Sequence, residues 1–133
     1  MTALDTNVIV RFLVRDDEKQ ALCVYERFKL AEKNREQLFI PLAVTLETLW
    51  VLESAYELSR EEMLDSLEAL RQMPIIEFES DYVLENLFLT GKNTRQDLAD
   101  ILIGYASESS GCKSVLTFDK KASGLPMFEL LKC

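Results

Sequence analysis

Apolar residues along the chain fall alternately into short unbroken runs and into longer stretches spaced three and four apart, and these two spacings predict strands and helices in turn. Met1 to Leu4 is a short apolar entry that reads as a first strand and terminates on Asp5. Val8, Ile9, Phe12 and Leu13 then keep helical spacing as far as the break at Arg15-Asp16-Asp17, which completes a βα unit. From Asp17 to Asn34 a second helix sets Ala21, Val24, Tyr25, Phe28 and Ala31 on one face, with Glu18, Lys19, Glu26 and Arg27 on a solvated one. Gln37 to Ile40 reads as a second strand ending at Pro41, and Val44 to Tyr56 as the helix after it. Ser59 with Glu62 forms a capping box before a helix carrying Met63, Leu67, Leu70 and Met73. Pro74 ends that helix, and Ile75 to Phe78 is the third strand.

The remainder follows the same alternation. Asp81 to Leu89 is a short helix and Gly91 to Asn93 a turn carrying Lys92. Leu98, Ile101, Leu102 and Tyr105 predict a further helix, with Thr94 and Asp97 resembling a capping-box start and Gly111 as the stop. Cys112 to Phe118 is β-branched and apolar and predicts a buried parallel strand ending on Asp119. Lys120 to Pro126 reads as a loop, and Met127 to Leu131 as a final edge strand. Trp50 and the Phe and Tyr residues sit at helical or strand spacing and are expected in the core. There is no internal repeat, low-complexity tract or linker, so residues 1–133 are expected to form one α/β domain whose mostly parallel sheet is covered on both faces.

Composition narrows the chemistry. A chain of 133 residues with 48% hydrophobic content can bury a full core without staples. Three cysteines, Cys23, Cys112 and Cys133, have no metal-like spacing and suit a reduced, cytoplasmic compartment. The absence of histidine excludes His-based nucleophilic triads and His-ligated zinc. No window approaches the length of a membrane-spanning helix, and the N-terminus lacks the basic and apolar regions of a signal peptide. A formal charge of −8 argues against simple electrostatic binding of nucleic acid, but not against an enzyme that recruits divalent cations to meet a polyanion.

Four of the 23 acidic residues are out of place for a solvated surface. Asp5 and Asp119 end apolar runs, where open parallel sheets bind ligands. Glu47 is flanked by Leu46, Leu49, Trp50 and Val51, and Asp100 stands between Ala99 and Ile101-Leu102-Ile103, although aspartate is a poor interior helix residue and costly to bury unpaired. Asp97 lies one turn before Asp100 on the same face, and two carboxylates held that way ask for a cation. Each has a plainer reading. Asp5 can be a helix N-cap, Glu47 a surface residue, Asp97 a first-turn acid favoured by the helix dipole, and Asp119-Lys120-Lys121 a polar turn. Lys92, Arg95, Lys120 and Lys121 could line an RNA path, though a solvated loop explains them as well. If the ends of the first and fourth strands are neighbours, Asp5 and Asp119 converge. Oxygen-only ligands suit Mg²⁺ or Mn²⁺, and the matching chemistry is metal-assisted phosphodiester hydrolysis, with some acids ligating and another orienting the attacking water.

The pieces Asp5-Thr6-Asn7-Val8, Thr45-Leu46-Glu47, Asp97-Leu98-Ala99-Asp100-Ile101-Leu102-Ile103 and Thr117-Phe118-Asp119 together resemble the PIN domain family, and within it the ribonuclease toxins of VapC-type toxin–antitoxin pairs. The resemblance covers nearly the whole chain in order and spacing. It implies a three-layer α/β/α sandwich and Mg²⁺-dependent cleavage of single-stranded RNA by a quartet falling on Asp5, Glu47, Asp100 and Asp119. It also implies Asp97 as an accessory acid, Asn7 and Thr117 as polar positions near the metal, a homodimer, and a small antitoxin that blocks the site. Two other classes remain open. An aspartate-based phosphotransfer domain also places Asp at strand ends, but a phosphatase of that kind wants a second Asp where this chain has Asn7. A non-catalytic interaction module would use the acids to hold a stabilising cation or a basic partner.

Overall fold

The computed structural model describes residues 1–133, which divide into two compact units, Met1–Glu79 and Ser80–Cys133. In the first unit the apolar entry pairs as strand β1 (Thr2–Ala3), and Asp5 turns the chain into helix α1 (Thr6–Val14). Arg15 closes that helix in the left-handed region, and Asp17 opens helix α2 (Glu18–Asn34) by accepting from the Gln20 amide at 3.0 Å. Strand β2 (Leu38–Ile40) leads through Pro41 into helix α3 (Leu42–Ser54). Pro41 offers no cap, and the Glu79 carboxylate accepts from the Leu42 amide at 2.8 Å instead, placing an anion at the positive end of α3. Helix α4 (Arg60–Arg71) carries both halves of the Ser59–Glu62 capping box, and strand β3 (Ile76–Phe78) follows Pro74.

The three strands form a parallel sheet in the order β1-β2-β3, with Thr2 opposite Leu38 and Leu38 opposite Ile76. Parallel order requires a helical crossover between successive strands, which is why the apolar faces of the helices come back onto the sheet. Ile9, Leu38, Ile40, Leu52, Leu64, Leu67 and Leu70 are fully buried as a result.

In the second unit helix α5 (Asp81–Asn93) packs on helix α6 (Leu98–Ser109) through Val83, Leu84, Leu87, Ile101 and Leu102. Gly111, at φ 89°, makes the left-handed turn that releases the chain from α6. Strand β4 (Val115–Thr117) pairs in parallel with strand β5 (Phe128–Leu130), the connection passing through a short 3-10 turn at Ala122–Gly124. All strand pairs are parallel and helices dominate, an α/β organisation.

Several local expectations are corrected. Gly91 to Asn93 is helix, not turn, because Leu87, Phe88 and Gly91 are buried along one face and packing outweighs the weak helix propensity of glycine. Asn93 and Thr94 finish that helix by donating to the Leu89 and Thr90 carbonyls, each at 2.8 Å. Thr94 therefore ends α5 and does not cap α6, a role that falls to Asp97. The strand expected over Cys112 to Phe118 is three residues long and only half covered, with Leu116 59% and Phe118 70% exposed, because β5 is its one hydrogen-bonded neighbour. Hydrogen bonding joins β1 only to β2 and β4 only to β5, so the strands make two ladders. Trp50 is 68% exposed, and Tyr25 and Tyr82 about half exposed; their helical spacing misled, since α3 is apolar nearly all round and buries Thr45, Thr48, Leu49 and Leu52 while turning Trp50 outward.

Candidate metal and catalytic centre

Asp5 follows β1 directly and is the N-cap of α1, its Oδ1 accepting from the Thr6 amide at 2.8 Å. The plain reading of Asp5 as a cap therefore holds. One oxygen satisfies it, and Oδ2 has no protein donor. The next residue, Thr6, is buried, and its hydroxyl donates to Oε1 of Glu47 on α3. That bond ties the acid-bearing turn of α3 to the start of α1. Glu47 is exposed, so its apolar neighbours in sequence belong to other faces of the helix. Asp5, Thr6, Asn7 and Glu47 border one cavity of about 340 Å³, which Arg11 and Tyr56 also line.

Arg11, one turn into α1 from Asn7, donates through Nε to Gln20 at 2.7 Å and through Nη1 to the Tyr56 hydroxyl at 3.2 Å, with Asp16 at 3.4 Å. Tyr56 in turn donates to the other Asp16 oxygen at 2.7 Å. This bond is the first cause that lowers the Asp16 pKa and raises that of Tyr56, so at neutral pH the pair is a carboxylate and an intact phenol. Sequence reasoning missed Thr6, Arg11 and Tyr56. Thr6 carried a usable signal, a hydroxyl immediately after a strand-end aspartate; Arg11 and Tyr56, 45 residues apart, carried none.

In the second unit Asp97 caps α6, its Oδ1 accepting from the amides of Ala99 at 2.8 Å and Asp100 at 3.3 Å. Asp119 behaves likewise after β4: its Oδ1 accepts from the amides of Lys121 at 2.8 Å and Ala122 at 3.3 Å, and its own amide donates to the Thr117 hydroxyl at 3.0 Å. Thr117 thus fixes the backbone that carries Asp119. Asp100 is different. It is half buried, no donor reaches its carboxylate, and burial together with the charges of Asp97 and Asp119 raises its pKa, with Lys121 pulling the other way. A cavity of about 200 Å³ elsewhere in this unit, bordered by Gly104, Glu108 and Met127, touches none of these acids.

A common pattern emerges. Asp5, Glu47, Asp97 and Asp119 each give one oxygen to the protein, which orients the group, and keep the other open. Asp100 keeps both. None of the five takes part in the Arg11–Asp16 or Arg27–Glu36 salt bridge. Neither unit gathers three carboxylates at the spacing of a closed cage. Open, oxygen-only and under-neutralised groups of this kind fit a hard cation that retains several waters, as Mg²⁺ and Mn²⁺ do.

Comparison with known proteins bears on the same residues. The PIN domain family model matches residues 2–126, spanning both units and all five acids. The chain is also similar to a VapC ribonuclease of Aquifex aeolicus (strain VF5), 27% identical over 122 residues that cover 91% of this chain and 89% of that protein.

Proposed function

This chain belongs to the PIN domain family, and from that premise we propose that it is a Mg²⁺- or Mn²⁺-dependent endoribonuclease, the toxin of a type II toxin–antitoxin pair. In this reading both units form a single PIN domain over residues 1–133, a three-layer α/β/α sandwich in which Asp5, Glu47, Asp100 and Asp119 serve one metal site. Asp97 is the accessory acid, and Asn7 and Thr117 the polar supports. The observation that carries the reading is Asp100, an acid whose charge is opposed by its surroundings and which no protein donor relieves. A group left in that state is tolerable when a cation completes it. The similarity to a VapC ribonuclease over most of both chains supports RNA as the substrate.

The residues divide the work. Asp5, Asp100 and Asp119 would hold the ion, while Glu47, steadied by the Thr6 hydroxyl, orients the attacking water and receives its proton. Bound there, Mg²⁺ or Mn²⁺ would neutralise phosphate charge and lower the pKa of water. A backbone amide already fixes one oxygen of Asp5 and one of Asp119, so little side-chain reorganisation precedes binding. The protein acts in the cytoplasm as a homodimer, silenced by a small antitoxin that occupies the acidic pocket with a basic side chain. No helix is long and apolar enough to cross a membrane.

The test is cleavage of single-stranded RNA by the purified protein with Mg²⁺ or Mn²⁺, with EDTA and the Asp5→Asn variant as controls. Cleavage that needs the metal and disappears in the variant supports the reading. Equal behaviour of variant and wild type overturns it in favour of a non-catalytic module, and stable phosphate incorporation at Asp5 in favour of phosphotransfer. A small antitoxin-like reading frame beside the gene would support the toxin assignment.

A further inference from the structure

The cavity beside Asp5 and Glu47 contains a feature that metal ligation and water activation do not use. Its lining also includes Arg11, a cation that forms no ion pair with either of the two carboxylates bordering the same cavity. Its guanidinium is held from three sides, by Gln20 on Nε and by Asp16 and Tyr56 on Nη1, and these bonds leave Nη2 without a protein acceptor. Asp16 and Tyr56 are themselves bonded to each other, so the guanidinium is gripped by a pre-formed bracket. A pre-organised guanidinium loses little rotamer freedom when it meets an anion, and its planar fork matches phosphate oxygens.

We propose that Arg11 is a substrate-binding residue that holds a backbone phosphate of single-stranded RNA adjacent to the one being cut, with Asp16 and Tyr56 as its positioning residues. The inference rests on the ribonuclease reading and adds a subsite to it. Two features favour a flanking phosphate over the scissile one. Arg11 stands in the last turn of α1, six residues beyond the N-cap Asp5 and so roughly 9 Å along the helix axis, and it bonds Asp16 and Tyr56 instead of the acids. The lining also includes the apolar Val10, Val51 and Ala55, which suit contact with a sugar or base face. A volume of about 340 Å³ lies at the small end of ligand pockets and accepts one nucleotide unit, which selects an unpaired strand over a duplex. In a chain of net charge −8, one fixed cation beside the acids also gives the polyanion a point of attachment.

The experiment measures binding of a fluorescein-labelled single-stranded RNA oligonucleotide in Ca²⁺, and separately kcat and KM in Mg²⁺, for wild type, Arg11→Gln, Arg11→Lys and Tyr56→Phe. Thermal melting checks that each variant is folded. Arg11→Gln is expected to weaken binding and raise KM about 10-fold with kcat within about two-fold. The slope of log binding constant against log salt should become shallower by about 0.7, the loss of one phosphate contact to a single strand. Arg11→Lys should keep the slope and recover part of the affinity, and Tyr56→Phe should raise KM about two- to three-fold by loosening the bracket. A folded Arg11→Gln or, if that variant does not fold, a Tyr56→Phe that binds with wild-type affinity and salt slope overturns the inference. RNA binding that depends on Arg11 in a protein that cleaves nothing would uphold the subsite while removing the ribonuclease reading; cleavage that ignores Arg11 would do the reverse.

Discussion

The acids of the first unit and those of the second share one arrangement except at Asp100. Asp5 and Glu47 are joined through Thr6, one by a backbone amide and the other by a hydroxyl, with the Arg11 cation on the same cavity. Asp97, Asp100 and Asp119 repel one another, and the middle one has neither donor nor ion pair. Asp5 and Glu47 each have one oxygen held and the other open, as Asp97 and Asp119 do, whereas Asp100 has both open and its charge opposed by its surroundings. Asp100 is therefore the acid whose metal-free state should respond most to loss of its charge.

The largest expected effects come from breaking each side in turn. Asp100→Asn and Asp5→Ala should each lower RNA cleavage by about 10³-fold, since each removes charge stabilisation from the reacting phosphate. Their effects on metal-free stability should have opposite signs. Asp5→Ala removes the cap of α1 and should cost about 1 kcal/mol, while Asp100→Asn relieves repulsion and should raise the melting temperature by about 1 to 3 °C. Chemical and thermal denaturation in EDTA check both, and a lower melting temperature for Asp100→Asn would contradict the account of that residue.

Thr6→Val comes next. It keeps the shape of the buried side chain and frees Glu47, so kcat should fall about 10- to 100-fold with KM for RNA nearly unchanged. A normal kcat would show that Glu47 needs no fixed orientation. The smallest effect concerns pH. The Asp100 pKa is raised in the folded protein, so the folded state binds the proton more tightly than the unfolded chain, and this contribution to stability is lost as pH rises through the folded value. Metal-free wild type should therefore lose a little stability from the acid side of the carboxylate range upward relative to Asp100→Asn, and saturating Mg²⁺ should remove the difference.

The order of elements was readable because apolar periodicity survives folding: the βα alternation, the Ser59–Glu62 box and the Gly111 stop all stand where pattern placed them. Boundaries that depend on packing were not. Gly91 looked like a breaker and is buried in a helix, Thr94 looked like a cap and ends the preceding one, and Trp50 looked like core and faces out. Among the candidate site residues, Asp5 and Asp119 stand out at strand ends, and each also caps the backbone that follows it. Glu47 was singled out for apolar neighbours that prove to lie on other faces, so its link to Thr6 is stronger support than its flanks were. Arg11, Asp16 and Tyr56 could not be found from sequence, because their bracket joins the end of α1, the following turn and the end of α3.

The most direct measurement is a calorimetric or electron paramagnetic titration of Mn²⁺ into wild type, Asp5→Asn and Asp100→Asn. If acids from both units serve one ion, either substitution should weaken the same binding event, by about 10-fold or more. An Asp5→Asn protein that binds Mn²⁺ as wild type does, while Asp100→Asn loses it, would confine the ion to the second unit and contradict the shared site.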